Sequence, residues 1–149
     1  MNNNEPRIAK LRTYLVNVIN AMVDDKEFQI NVNMLSNDIN NYSLDKIPTS
    51  STVERWINGI SIYRDVFSFK SRLAYSQDTI NNLSNIGFFE KFENIIESNN
   101  KKGVLPEIIG IKSIECLNVG TMISSDTNTA EFDIQIQITY IKNKLIKEE

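Results

Sequence analysis

The chain has 149 residues, 41% apolar and 23% charged, a size and balance that suit one globular domain with a proper core. Its formal net charge of −3 argues against a protein that grips nucleic acid through the phosphates. Histidine is absent and Cys116 is the single cysteine, so the commonest general base, a disulfide framework and a multi-cysteine zinc site are all excluded. The opening Asn2-Asn3-Asn4-Glu5 carries no apolar run of signal-peptide length, and no stretch approaches the ~20 apolar residues of a membrane span. The expected compartment is the cytoplasm.

Pro6 stands where a helix can begin, because its missing N–H falls among the unsatisfied donors of a first turn. Ile8, Leu11, Leu15, Val18, Ile19 and Met22 follow at three- and four-residue spacing, which predicts an amphipathic helix ended by Asp24-Asp25-Lys26. Phe28 to Val32 and Tyr42 to Ile47 read as short strands around an Asn-rich irregular stretch. Val53 to Ile57 and Ile60 to Tyr75 flank Asn58-Gly59, a dipeptide that predicts a tight hairpin of type I′. On the second of these strands Tyr63, Phe67, Phe69 and Leu73 share the core parity, and Arg64, Lys70 and Arg72 the opposite one.

Asp78 is a suitable N-cap for a helix starting near Thr79. Ile80, Leu83 and Ile86 form one apolar face; Phe88, Phe89, Phe92, Ile95 and Ile96 form another, after Gly87. The expectation is two short helices, or one kinked at that glycine. From Ile108 to Ile123 the chain is strand-like, Ser124 to Thr129 is a run of turn formers, and Glu131 to Ile141 alternates polar and apolar residues with period two. Phe132, Ile134, Ile136, Ile138 and Tyr140 face one way, Glu131, Asp133, Gln135, Gln137 and Thr139 the other. The C-terminal third is therefore expected to be one long antiparallel hairpin. The whole chain reads as a single α+β domain over residues 1–149, an antiparallel sheet with long hairpins and helices packed on one face, with residues 143–149 as a flexible tail.

Candidate chemistry is sparse. Glu131 and Asp133 share a strand face and Glu115 can lie opposite on the paired strand; close carboxylates can run acid–base chemistry or hold a divalent metal. A solvated strand face explains them better, since no histidine, glycine-rich loop or further ligand at metal spacing supports the sharper reading. Cys116 reads as a buried structural thiol. Trp56 is expected in the core more than at an interface. No enzyme activity and no cofactor are expected. A small metal-dependent hydrolase using Glu115, Glu131 and Asp133 and a monomeric strand-adding binding module are the alternatives from other classes.

Several motifs taken in order resemble a known family. They are Trp56-Ile57-Asn58-Gly59, the aromatic strand Tyr63-Arg64-Asp65-Val66-Phe67-Ser68-Phe69, Asn82 to Phe92, Gly103-Val104-Leu105-Pro106, and Ala130-Glu131-Phe132-Asp133-Ile134 through Tyr140. Together with the N-terminal helix they resemble the tail-terminator or minor capsid proteins of tailed bacteriophages and phage-tail-like particles, over roughly residues 8–142.

The resemblance implies a structural virion protein of the tail and neck, assembled in the host bacterial cytoplasm, with no cofactor and no membrane partner. Its subunits would form a homo-oligomeric ring, usually a hexamer, that caps the head-proximal end of the tail tube. The ring would bind the tail tube protein and the neck or head connector protein, and DNA would pass through it as cargo. A connector or a tail-tube subunit of the same particle is the nearest alternative. On this reading Glu115, Glu131, Asp133 and Gln135 face a lumen or a neighbouring subunit, and Asp126, Asn128, Arg64 and Arg72 supply tube or neck contacts. The acidic balance would let DNA slide past without being held.

Overall fold

The computed structural model describes residues 5–23, 28–36, 39–48, 52–56, 58–74, 79–118, 120–125 and 128–143. Helix α1 (Arg7–Met22) is followed by β1 (Ile30–Val32), β2 (Asn41–Ile47), β3 (Thr52–Arg55) and β4 (Ile60–Ala74). Helix α2 (Thr79–Lys102) then leads into β5 (Ile111–Cys116), β6 (Thr121–Ser125) and β7 (Thr129–Asn143). Among the described residues the strands form a seven-stranded mixed sheet in which only the β1–β2 pair is parallel, and the fold is α+β as the sequence predicts.

Two strands of 15 residues make its centre. β4 and β7 pair antiparallel over their whole length, from Ile60 opposite Asn143 to Ala74 opposite Thr129, with no register shift. β2 and β3 lie end to end along the other side of β4; β5 and β6 do the same along β7. Strict alternation then sorts side chains between two faces. Phe67, Phe69 and Leu73 of β4 and Phe132, Ile134, Ile136, Ile138 and Tyr140 of β7 are buried, on the parities expected.

Both helices cover that apolar face. Leu11, Tyr14, Leu15, Val18 and Ile19 of α1 join Phe92 and Ile96 of α2 in one core with Phe67, Phe69, Ile134, Ile136, Ile138 and Tyr140, while Leu73, Phe89, Ala130 and Phe132 form a second, smaller cluster. Aromatic rings run through it. Phe28 meets Tyr42 edge-on, Tyr42 stacks on Phe69 at 5.4 Å, and Phe69 stacks on Phe92 at 5.3 Å. Such offset pairs add about 0.5–1.5 kcal/mol each beyond the area they bury.

Four expectations are corrected. α2 is one helix that runs through Gly87, and its first apolar face does not pack: Leu83 is 60% and Ile86 54% exposed. From Leu83 onward the first buried side chain is Phe89, which packs with Leu73, Ala130 and Phe132 of the sheet. Next, the Asn58-Gly59 turn is not type I′. Of the two residues only Gly59, at φ 87°, is left-handed; its N–H donates to the Trp56 carbonyl at 3.1 Å, and the Trp56 N–H donates to the Ile60 carbonyl at 2.7 Å. A type I′ turn needs a positive φ at both residues, and here Gly59 alone of the pair supplies one.

Trp56 is the third: it stands beside the hairpin turn just beyond the end of β3, 44% exposed and not in the core. Finally, the C-terminal hairpin has a broken first leg. β5 and β6 are separated at residues 117–120, and each also carries a register shift against β7. At the break the Asn118 side chain takes over the ladder, its Oδ1 accepting the Gln135 N–H at 2.6 Å. Gly120 lets the Phe89 ring sit against the backbone, since a Cβ there would meet the ring at 2.3 Å. Asp24-Asp25-Lys26, Asp78 and residues 144–149 lie outside the described residues.

The apolar face carries one defect. Ser71 of β4 is fully buried, and its Oγ has no hydrogen-bond partner among the described residues. An unpaired buried hydroxyl costs about 1–3 kcal/mol, so Ser71→Ala should stabilise the fold by about 1 kcal/mol. Denaturant unfolding measures this; a destabilised variant would show that the hydroxyl has a partner.

Candidate functional site

The sheet face that the helices leave uncovered is polar. Ser43 and Asp45 of β2, Arg64, Ser68, Lys70 and Arg72 of β4, and Glu131, Asp133, Gln135 and Gln137 of β7 lie on the parity opposite the apolar core, Ser43 and Ser68 being themselves buried. The register sets charges against each other, with Arg72 opposite Glu131 and Lys70 opposite Asp133. Opposite charges directly across a ladder each contribute about 0.2–1 kcal/mol.

These groups pair laterally in several small, separate clusters. Arg72 Nη2 lies 3.5 Å from Glu131 Oε1, its Nε donates to the Ser36 carbonyl at 2.9 Å, and its Nη1 donates to Thr129 Oγ1 at 3.4 Å. Lys70 Nζ sits 3.4 Å from Asp45 Oδ2, and Ser43 Oγ donates to Asp45 Oδ1 at 2.9 Å. Ser68 Oγ donates to Asp133 Oδ1. Farther along, Gln137 Nε2 donates to Glu115 Oε1 at 2.7 Å. Half-buried pairs of this kind hold more geometry than fully exposed ones, which contribute roughly 0–1 kcal/mol.

These pairings regroup the candidate residues. Glu131, Asp133 and Gln135 share this face, and Arg64 and Arg72, assigned from the resemblance to different contacts, stand on it beside them. Arg72 is held within its own chain by three groups, whereas Arg64 is exposed. Glu115 is exposed and pairs with Gln137, four residues along β7 from Asp133. At about 3.4 Å per residue that separates it from Asp133 by about 14 Å, so the three carboxylates do not converge. Asn128 is exposed at the end of the hairpin, and Asp126 lies outside the described residues. The face mixes both signs of charge.

Sequence reasoning missed a second cluster, on the other face near the start of α1. Asp65 is 1% exposed on the core parity of β4. Arg7 Nε donates to its Oδ2 at 3.1 Å, and the Tyr140 hydroxyl donates to the same oxygen at 3.2 Å. The Arg7 guanidinium also sits 4.6 Å over the Tyr140 ring, which stacks on Tyr63 at 5.5 Å. The signal was available: an aspartate interrupts the core parity between Tyr63 and Phe67. A charge at such a position needs a cation and a hydrogen-bond donor from elsewhere in the chain. The cluster ties the first turn of α1 to the central ladder. Burial pushes the Tyr140 hydroxyl up to about 12, with Arg7 opposing and Asp65 adding to the rise, which suits a fixed donor and not a base.

Cys116 is half-buried, and burial, with Glu93 and Glu115 adding to it, pushes its thiol up to about 12. A thiol so placed is a poor nucleophile at neutral pH.

Two measurements follow from these environments. Arg7→Leu leaves the Asp65 carboxylate with Tyr140 alone and should lower stability by about 1–3 kcal/mol in denaturant unfolding; an unchanged midpoint would mean that water replaces the guanidinium at no cost. Tyr42 and Tyr140 each rise from 10.0 to about 12 in the folded chain. Both therefore keep their protons in the folded state between about pH 10 and 12 while the unfolded chain loses them, so stability is whole below pH 10 and falls as pH rises to 12. Thermal melts across that window should show the fall, and Tyr42→Phe should flatten it. No family model matches the chain, and a search of curated proteins finds no significant relative.

Proposed function

We propose that this protein is a structural assembly subunit of tail-terminator type. Copies of it form a closed ring, a homo-hexamer, that caps the head-proximal end of a phage tail tube and joins it to the neck. The observation that carries the reading is the edge strand β6. All five of its residues are exposed, Met122 and Ile123 at 45% and 50%, and among the described residues it pairs only with β7. An exposed strand edge with apolar side chains is a template for a neighbouring chain. Beside it stands a helix-free polar face whose paired charges suit a wet subunit contact or a lumen better than a catalytic site. The motif order from Trp56 to Tyr140 supports the choice of family.

Within the ring, β6 meets the neighbouring subunit. Glu115, Gln135 and Arg64 present the polar face to the lumen, tube or neck, while the Arg72–Glu131 and Lys70–Asp45 pairs hold that face in shape. Light scattering with negative-stain imaging tests the proposal. A six-fold multiple of the 17.1 kDa chain, seen as rings, is the expected result. Met122→Glu with Ile123→Glu should abolish the rings and leave the far-UV spectrum unchanged, because both side chains are exposed. A protein that stays monomeric and also fails to bind the ends of tail tubes from its own particle would overturn it.

A further inference from the structure

Between α1 and the C-terminal half of α2 lies a cleft of about 370 Å³. One wall is a helical stripe of α1 at three- and four-residue spacing, Lys10, Tyr14, Asn17 and Val18, and Ala21; the other includes Ile95, Asn99, Leu105 and Pro106. The volume lies at the small end of the range for ligand pockets, about 300–1,000 Å³.

Lys10 makes this cleft unusual. It is 7% exposed, yet its ammonium has no hydrogen bond or ion pair among the described residues. Nor is it sealed in, for Ser71 Oγ is the only fully enclosed side-chain atom left unpaired among the described residues. Lys10 lines the cleft, and its ammonium is neither paired nor fully enclosed among the described residues. A lysine with its stem buried and its charged head unpaired offers a ready partner to an anion. One turn on, the Tyr14 hydroxyl accepts a hydrogen bond from Asn99 Nδ2 at 3.1 Å, which leaves its own hydrogen to donate. Burial raises the Tyr14 hydroxyl above its ordinary value, so it remains a donor at neutral pH.

We propose that this cleft binds a monocarboxylate with a short aliphatic chain, its carboxylate on Lys10 and Tyr14 and its chain against Val18, Ile95, Leu105 and Pro106. Charge complementarity selects the ligand. Among the described residues Lys10 is the only cation lining the cleft, and the two lining carboxylates, Glu5 and Glu107, are exposed. One negative charge is matched by Lys10; a second, as on a phosphate, would face Glu5 and Glu107. The apolar wall has no use for a purely polar anion. This site is independent of ring formation and of the β6 edge.

Titration calorimetry with octanoate at neutral pH tests it, using the whole chain. Octanoate should bind the wild type, and inorganic phosphate at the same concentration should not. Lys10→Met, which keeps the stem and removes the charge, should weaken octanoate at least tenfold while leaving the affinity for 1-octanol within about twofold. Lys10→Gln serves as the second variant, and circular dichroism confirms that each is folded. Absence of octanoate binding to the wild type overturns the proposal. So does equal octanoate affinity in a folded Lys10 variant, or phosphate binding in place of octanoate.

Discussion

Everything in this fold hangs on the unbroken ladder between β4 and β7. Fifteen residues of one strand oppose fifteen of the other from Ile60–Asn143 to Ala74–Thr129, and no bulge interrupts them. The two faces of the sheet are thereby defined over the whole length of the molecule. A slip of one residue would turn Phe67, Phe69, Ile134 and Ile136 to water and bring the Arg72–Glu131 and Lys70–Asp45 pairs into the core. That cost fixes the register far more strongly than any turn could. Among the described residues the register shifts occur only where β3, β5 and β6 pair with the long strands. Distortion is tolerated at the margins because a short outer strand can bend without disturbing the alternation at the centre.

The two faces then diverge in what they can do. The apolar face is saturated with aromatic and aliphatic contacts from both helices, and the Asp65–Arg7–Tyr140 cluster locks the start of α1 onto it. The polar face has no cover from a helix and satisfies its charges laterally, from strand to strand. Such a face is pre-organised, since side chains held by their neighbours lose little freedom on meeting a partner. A rigid polar surface beside an exposed edge with Met122 and Ile123 is the pairing that a repeating assembly uses: the edge supplies adhesion and the polar face lines whatever the assembly encloses. The cleft over Lys10 lies on the helical side, away from both.

Much of this was legible in one sequence. Period two over Glu131–Tyr140 and Tyr63–Leu73 specifies two long strands and their buried parities, and the three- and four-residue spacing in Ile8–Met22 specifies α1. These patterns are local, because a helix or strand half in water must show its period. The polar candidates Glu131, Asp133, Gln135, Arg64 and Arg72 were correctly assigned to the outward parity for the same reason.

Tertiary structure decided the rest, wherever the answer depended on what lies beneath a residue and not on its neighbours in the chain. Leu83, Ile86 and Trp56 are apolar, yet exposed, since spacing along the chain does not say whether another element packs on a residue. Lys10 and Asp65 are charged, yet buried, because the helical period of α1 and the alternation of β4 carry them inward and packing then surrounds them. Glu115 belongs by type with Glu131 and Asp133, but the break at residues 117–120 and the register of β5 set it apart from them. Parity is a property of the local chain. Cover, register and the distance between two side chains belong to the assembled sheet, and only the fold could supply them.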